Sequence, residues 1–397
     1  MGVATNNDLI YFDNSATTRV DGGVVQSMLE YMTDKYGNAS SSHRAGLTVH
    51  ADLDKARLAI AKLLSCKPNE IIYMASGSEA DNFALRQIVR LYKSKNNGKG
   101  GHIITTAIEH KAILNTGIYL QENGTDVTYL GVDKQGRVSL DELERAVRPD
   151  TILISVMLAN NEVGTIEPVK DIVRIAKKHS SDILVHTDAV QAIGKLKVDV
   201  NELGVDLLTF SGHKIYAPKG IGVLFVRENL RKELTPLIHG GSQENGLRAG
   251  TENIPYIMGL AKAAELIVED NYRQAEYIRG LRDGFEKRIL AEIPDTRVNG
   301  DIANRVVSIA NITFRYIEAE SVIGYVPQVC CSLGSACTAG QDAASHVLTA
   351  MCMDPVEIRG TIRFSFGKFN TADEVNRAVE YLKDGVAKLR AMSPLAK

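Results

Sequence analysis

The chain has 397 residues, 44% hydrophobic and 24% charged, with a formal net charge of −2. That is a globular composition long enough for two domains, and it has neither the basic stretch of a nucleic-acid binder nor an apolar run that approaches a membrane span. The five cysteines (Cys66, Cys330, Cys331, Cys337 and Cys352) are too few and too irregularly spaced for a disulfide framework or a zinc site, and Met1–Asp8 lacks the pattern of a secretory signal, so a reduced, cytoplasmic protein is expected.

From about residue 70 to 226, short apolar runs alternate with helical patterns. Strands are expected at 71–74, 102–105, 127–130, 152–157, 183–186, 207–210 and 222–226. Helices fill the gaps, among them 139–147, which opens on the capping-box pattern Ser139-Leu-Asp-Glu142. This rhythm predicts an α/β fold with a mainly parallel seven-stranded sheet covered by helices. After Pro255 the texture changes. One long helix is expected over 257–291, followed by a smaller α+β domain with strands at 306–310, 312–314 and 361–366 and a last helix opened by Thr371-Ala-Asp-Glu374. The boundary falls near residue 260. Residues 16–260 form the large domain, and 1–15 with 261–397 the small one, because Leu9-Ile10-Tyr11-Phe12 needs a partner strand.

Ligands of parallel α/β sheets gather at the carboxyl ends of the strands, and the chemistry-bearing residues of this chain follow such ends. Ser211-Gly212-His213-Lys214 follows the run 205–210. A lysine there loses hydration, deprotonates more easily and can form a Schiff base with an aldehyde cofactor. His186-Thr187-Asp188-Ala-Val-Gln191 ends another run. An aspartate and a Schiff-base lysine are the two anchors of pyridoxal phosphate, the acid at the pyridine nitrogen and the amine at the aldehyde carbon.

Other motifs acquire meaning in that company. Ala75-Ser76-Gly77-Ser78-Glu79 links a strand to a helix; Gly77 allows close approach, the first-turn N–H groups form an anion site and Ser78 adds a hydroxyl, against the plain alternative of a serine cap. His110 follows the strand ending at 105, where it can stack on a flat cofactor or be structural. Asn160 and Asn161 either bond a phenolic oxygen or form an Asx turn. Arg248 and Thr251 lie in the glycine-rich run 240–251, which points to an anion or a subunit contact. Cys337 sits in Ser332-Leu-Gly334-Ser335-Ala336-Cys337-Thr338-Ala339-Gly340, a small-residue loop that suits a reactive thiol, whereas Cys330 and Cys331 read as structural. Arg363 alternates with Ile362 and Phe364, so it leaves the core side of its strand and either grips a carboxylate or is solvated.

The set resembles the pyridoxal-phosphate cysteine desulfurases, class-V-aminotransferase-like enzymes that supply sulfur for iron–sulfur clusters and other thio-cofactors. The motifs run nearly end to end: Tyr11-Phe-Asp-Asn-Ser-Ala-Thr17-Thr18, Tyr36-Gly-Asn38, Asn160-Asn161-Glu-Val-Gly164, His186-Thr-Asp188-Ala-Val-Gln191, Ser211-Gly-His213-Lys214, Arg248-Ala-Gly-Thr251, Gly334-Ser-Ala-Cys337 and Ile362-Arg363-Phe-Ser-Phe-Gly367. The resemblance implies fold type I of the pyridoxal-phosphate transferases and a homodimer. It assigns Lys214 to the cofactor aldehyde, Asp188 to the pyridine nitrogen, Gln191 and Asn161 to the phenolic oxygen, and His110 to ring stacking and acid–base steps. Gly77, Ser78, Ser211 and His213 would hold the phosphate, joined by Thr251 of the neighbouring subunit. Arg363, with Asn38, would bind the carboxylate of L-cysteine. Cys337 would take the sulfur as a persulfide, release L-alanine and pass the sulfur to an acceptor, an iron–sulfur scaffold protein foremost. The alternatives are a selenocysteine lyase of the same fold and a non-catalytic assembly scaffold; a scaffold needs neither Lys214, Asp188 nor Cys337.

Overall fold

The computed structural model describes residues 9–334 and 344–393. Strands β2 (Ile71–Met74), β3 (His102–Thr106), β4 (Asp126–Leu130), β5 (Thr151–Ser155), β6 (Leu184–Asp188), β7 (Leu207–Ser211) and β8 (Gly222–Val226) form one sheet in the order β2-β8-β7-β6-β5-β3-β4. All seven expected strands are present. Every pair is parallel except those of β8, which runs antiparallel to both β7 and β2. Strand β2 therefore points the same way as the other five, and six carboxyl ends share one edge of the sheet. Helices cover both faces, so β2, β3, β5, β7 and β8 are buried along their whole length.

A second apolar cluster contains Ile10 and Phe12 together with side chains from Ala275 to Val386. It packs on the antiparallel strands β9 (Thr296–Asn299), β10 (Ile309–Phe314) and β12 (Thr361–Ser365). Aromatic rings knit it together: Phe12 and Phe366 lie 4.6 Å apart, and Phe285 and Phe364 4.9 Å. The partner that Leu9–Phe12 requires is supplied by β11 (Val329–Cys330), which pairs in parallel with β1 (Ile10–Tyr11).

The structure departs from the sequence reading in three places. The two short strands expected at 306–310 and 312–314 are one strand, β10. The polar edge strand β9, with Arg297 and Asn299, carries no alternation that would reveal it. The long helix expected over 257–291 is two helices, Ile254–Asp270 and Arg273–Glu292, separated where Asn271 and Tyr272 adopt left-handed backbone angles, φ 50° and 60°. The closing helix, Ala372–Met392, has its capping box of Thr371 and Glu374 as expected. Among the described residues no helix is long and apolar enough to cross a membrane.

Candidate active site

At the shared carboxyl edge lies a cavity of about 220 Å³. Lys214, Asp188, Gln191, Asn161, His110, Gly77, Ser78, Ser211, His213 and Arg363 all line it. Asn38 is exposed and Thr251 lines a separate cavity beside Ala75 and Arg248, so neither joins the others within one chain. Cys337 lies outside the described residues.

The sheet edge dictates the placement. Lys214 ends the single turn Gly212–Lys214 that follows β7, and its Nζ donates to the carbonyl oxygens of Ser15 at 2.5 Å and Ala16 at 2.6 Å. Gln191 Nε2 donates to the same Ser15 carbonyl at 3.1 Å. His213 Nδ1 lies 3.1 Å from Thr17 Oγ1. Burial and the cations Lys214, Lys219 and Lys195 push its pKa down to about 4, so the ring is neutral at physiological pH.

Asp188 is the last residue of β6, and its Oδ1 accepts the Val190 N–H at 2.8 Å. Burial raises its pKa, while His110 and Lys214 favour its charge. Asp81 lines the same cavity and is 1% exposed. Burial and the charge of Asp188 raise the Asp81 carboxyl far above the carboxylate range, so of the two acids Asp81 keeps the proton. Behind them His186 bonds Ser155 Oγ at 2.9 Å and Thr209 Oγ1 at 3.1 Å, and burial holds its pKa near 3.

The helix Gly77–Lys95 begins at the end of β2, capped by Ser76, whose Oγ accepts the Glu79 N–H at 3.1 Å. The cap is thus Ser76, and Ser78 faces the cavity. A Cβ on Gly77 would stand 3.2 Å from Val190 Cγ2 and 3.5 Å from Ser211 Cβ, which accounts for glycine where the helix meets the strand ends. Arg248, expected near an anion or a subunit contact, pairs with the Glu79 carboxylate at 3.0 Å. His110 caps the helix Lys111–Glu122, its Nδ1 accepting the Ala112 N–H at 3.2 Å.

The asparagine pair divides its tasks. Asn160 makes the Asx turn, accepting the N–H groups of Glu162 at 2.8 Å and Val163 at 3.0 Å. Asn161 faces the cavity with a buried amide oxygen that has no hydrogen-bond partner among the described residues. Arg363, on β12, is 1% exposed rather than solvated, and donates to Asp13 Oδ1 at 2.8 Å and to the Asn161 carbonyl at 2.9 Å.

Sequence reasoning missed Asp81 and Ser15. Asp81 stands one helical turn beyond Gly77 and so on the same face, a signal open to periodicity. Ser15 acts through its carbonyl, which no side-chain motif reveals.

The donor set matches pyridoxal phosphate group by group. An amine suits the aldehyde carbon, a buried carboxylate suits the pyridine nitrogen and an imidazole suits the ring face. A cavity-lining amide suits the phenolic oxygen, and a helix N-terminus suits the phosphate. Among the described residues no group of three or more His, Cys, Asp or Glu is arranged to hold a metal.

Comparison with known proteins agrees. The profile of the class-V aminotransferases matches residues 10–378. The cysteine desulfurase IscS of Methanosarcina thermophila is 46% identical over 99% of this chain and 96% of its own length. The mitochondrial cysteine desulfurase of Eremothecium gossypii is 41% identical over 97% of this chain and 78% of its own. Among solved structures, a NifS-like protein superposes with a TM-score of 0.89 at 37% identity, covering 96% of this chain and all of its own. SspA in complex with cysteine superposes at 0.79 and 38% identity, covering 91% of this chain and 99% of its own. The chain belongs to the class-V aminotransferase family and, within it, to the pyridoxal-phosphate-dependent cysteine desulfurases.

Proposed function

We propose that the protein converts L-cysteine to L-alanine and transfers the sulfur, as a persulfide on Cys337, to an acceptor. The observation that carries this reading is the convergence of Lys214, Asp188, Gly77 and Arg363 on one cavity, in a chain whose relatives are cysteine desulfurases. Pyridoxal phosphate bound there supplies an electron sink that weakens the Cβ–S bond of the substrate.

The chain's own residues do the rest. Lys214 would hold the aldehyde carbon and then move a proton at the substrate Cα. Asp188 would accept the pyridine N–H, and the protonated Asp81 beside it would add no second negative charge. Gln191 and Asn161 would hold the phenolic oxygen. The N–H groups of Gly77 and Ser78, with Ser211 and His213, would hold the phosphate; His213, being neutral, could donate one hydrogen bond there. His110 would lie against the ring. Arg363 takes the substrate carboxylate. The Cys337 thiolate attacks the substrate sulfur, the S–S bond forms as Cβ–S breaks, and the carbon skeleton leaves as L-alanine after protonation. Two other thiols are poorly suited to that task. Burial raises the pKa of Cys331 well above the usual thiol range and pushes that of Cys66 up to about 12.

Thr251 is assigned to a contact completed in a homodimer, which its position outside the cavity favours; Asn38 is assigned to help Arg363 at the substrate carboxylate, although it does not line the cavity in a single chain. The two-domain division near residue 260, a cytoplasmic setting and an iron–sulfur scaffold as sulfur acceptor complete the reading. The test is the product balance from L-cysteine with a reductant. Alanine and sulfide in equal amounts are expected, and cysteine consumption without alanine would overturn the assignment.

A further inference from the structure

Arg363 poses a physical problem that the reaction alone does not solve. Its guanidinium is buried on a strand between Ile362 and Phe364, and such a charge is tolerated only when paired. Its one carboxylate partner within ion-pair distance among the described residues is Asp13, at 2.8 Å. The Asn161 carbonyl accepts a second N–H, and the buried Nε has no hydrogen-bond partner among the described residues. Arg363 lines the cavity and Asp13 does not. The aspartate therefore backs the guanidinium from outside the cavity, leaving donors for a second acceptor within it.

The segment that carries Asp13 is itself fixed to the strand of Arg363. Ser365 N–H donates to the Phe12 carbonyl at 2.7 Å, Asn14 N–H to the Ser365 carbonyl at 3.2 Å, and Ser15 N–H to Ser365 Oγ at 2.8 Å. Two and three residues past Asp13, the carbonyls of Ser15 and Ala16 accept hydrogen bonds from Lys214 Nζ. One four-residue stretch thus touches both Arg363 and Lys214, the arginine through a side chain and the lysine through the backbone. We propose that Asp13 is a positioning residue: it orients Arg363 to bind the carboxylate of the amino-acid substrate, and the Asp13–Ala16 stretch sets that carboxylate site against the Lys214 amine. The inference rests on Arg363 being the carboxylate-binding group.

The test compares two ligands of the cofactor-loaded enzyme that differ in the carboxylate alone, L-alanine and ethylamine. Binding is read from the shift of the cofactor absorption band, without turnover. Wild type prefers L-alanine. Asp13→Asn is expected to weaken L-alanine by at least about tenfold and to leave ethylamine unchanged, since a loosened guanidinium loses its charge-assisted, directed contact. Asp13→Glu keeps the charge but displaces it by one methylene, so it is expected to show a smaller loss of the same kind; it decides the matter if Asp13→Asn does not fold. Unchanged or tighter L-alanine binding would overturn the inference, because Asp13 would then be idle or a competitor that the substrate displaces. Equal weakening of both ligands would overturn it too, as a merely structural effect. Arg363→Ala separates the two levels. If Arg363→Ala retains the preference for L-alanine, the reading of Arg363 fails and Asp13 falls with it. If it abolishes the preference while the Asp13 variants keep it, only the Asp13 inference fails.

Discussion

Glu109 precedes His110 and is fully buried, so its replacement by glutamine should change how stability depends on pH. Its Oε1 accepts the Met157 N–H at 2.9 Å and the Thr106 hydroxyl at 2.8 Å, while Oε2 has no hydrogen-bond partner among the described residues. Burial, aided by the charges of Asp188 and Glu167, pushes its pKa from the ordinary 4.5 up to about 8. Between these values the folded protein binds one proton more than the unfolded chain, so stability falls as pH rises through the window. The full shift corresponds to at most roughly 5 kcal/mol, and with relaxation of the site about 2–3 kcal/mol is expected. Glu109→Gln preserves the shape and removes the titration. The assay is urea-induced unfolding of wild type and Glu109→Gln at intervals from pH 5 to 9. Titrating groups that are not coupled to Glu109 cancel in the difference. The variant should gain on wild type as pH rises, by about 2–3 kcal/mol between pH 5 and 9. Parallel profiles, or a variant that loses ground at high pH, would refute the argument that burial keeps this carboxyl protonated.

Two further outcomes concern the chemistry. Lys214→Ala should lose the visible absorption of the covalently held cofactor and about two to four orders of magnitude of turnover; near-normal turnover would remove Lys214 from the reaction. Cys331→Ser should keep turnover within about twofold of wild type, because burial holds the Cys331 thiol in its unreactive protonated form. A collapse of sulfide release in this variant would identify Cys331 as the sulfur-accepting thiol instead.

Most of the large sheet was legible because its strands are continuous apolar runs, and periodicity detects those well. The carboxyl-end rule then brings Lys214, Asp188, His110 and Gly77 to one edge of the sheet. Legibility ended where tertiary partners decide. Alternation along β12 correctly turned Arg363 away from the core side, yet it gave no sign that Asp13, 350 residues away in sequence, would bury and pair it. The break at Asn271 and Tyr272 contains neither glycine nor proline, so the helix reads as continuous. Asp81 looks like one more polar residue on a helix until β6, which carries both His186 and Asp188, packs beside it. Asn38 and Thr251 show the opposite limit, since motifs that belong to one family need not meet within one chain.

The most direct test of the central claim is a single-turnover experiment on cofactor-loaded wild type and Cys337→Ala. Each protein is mixed with one equivalent of L-cysteine without reductant, and both alanine and protein-bound persulfide are measured. Wild type should yield one alanine and one persulfide per active site, with the persulfide on the peptide that contains Cys337. Cys337→Ala should still perturb the cofactor spectrum on adding cysteine but yield neither product. Alanine and persulfide from Cys337→Ala, or alanine from wild type with the sulfur on another cysteine, would contradict the account.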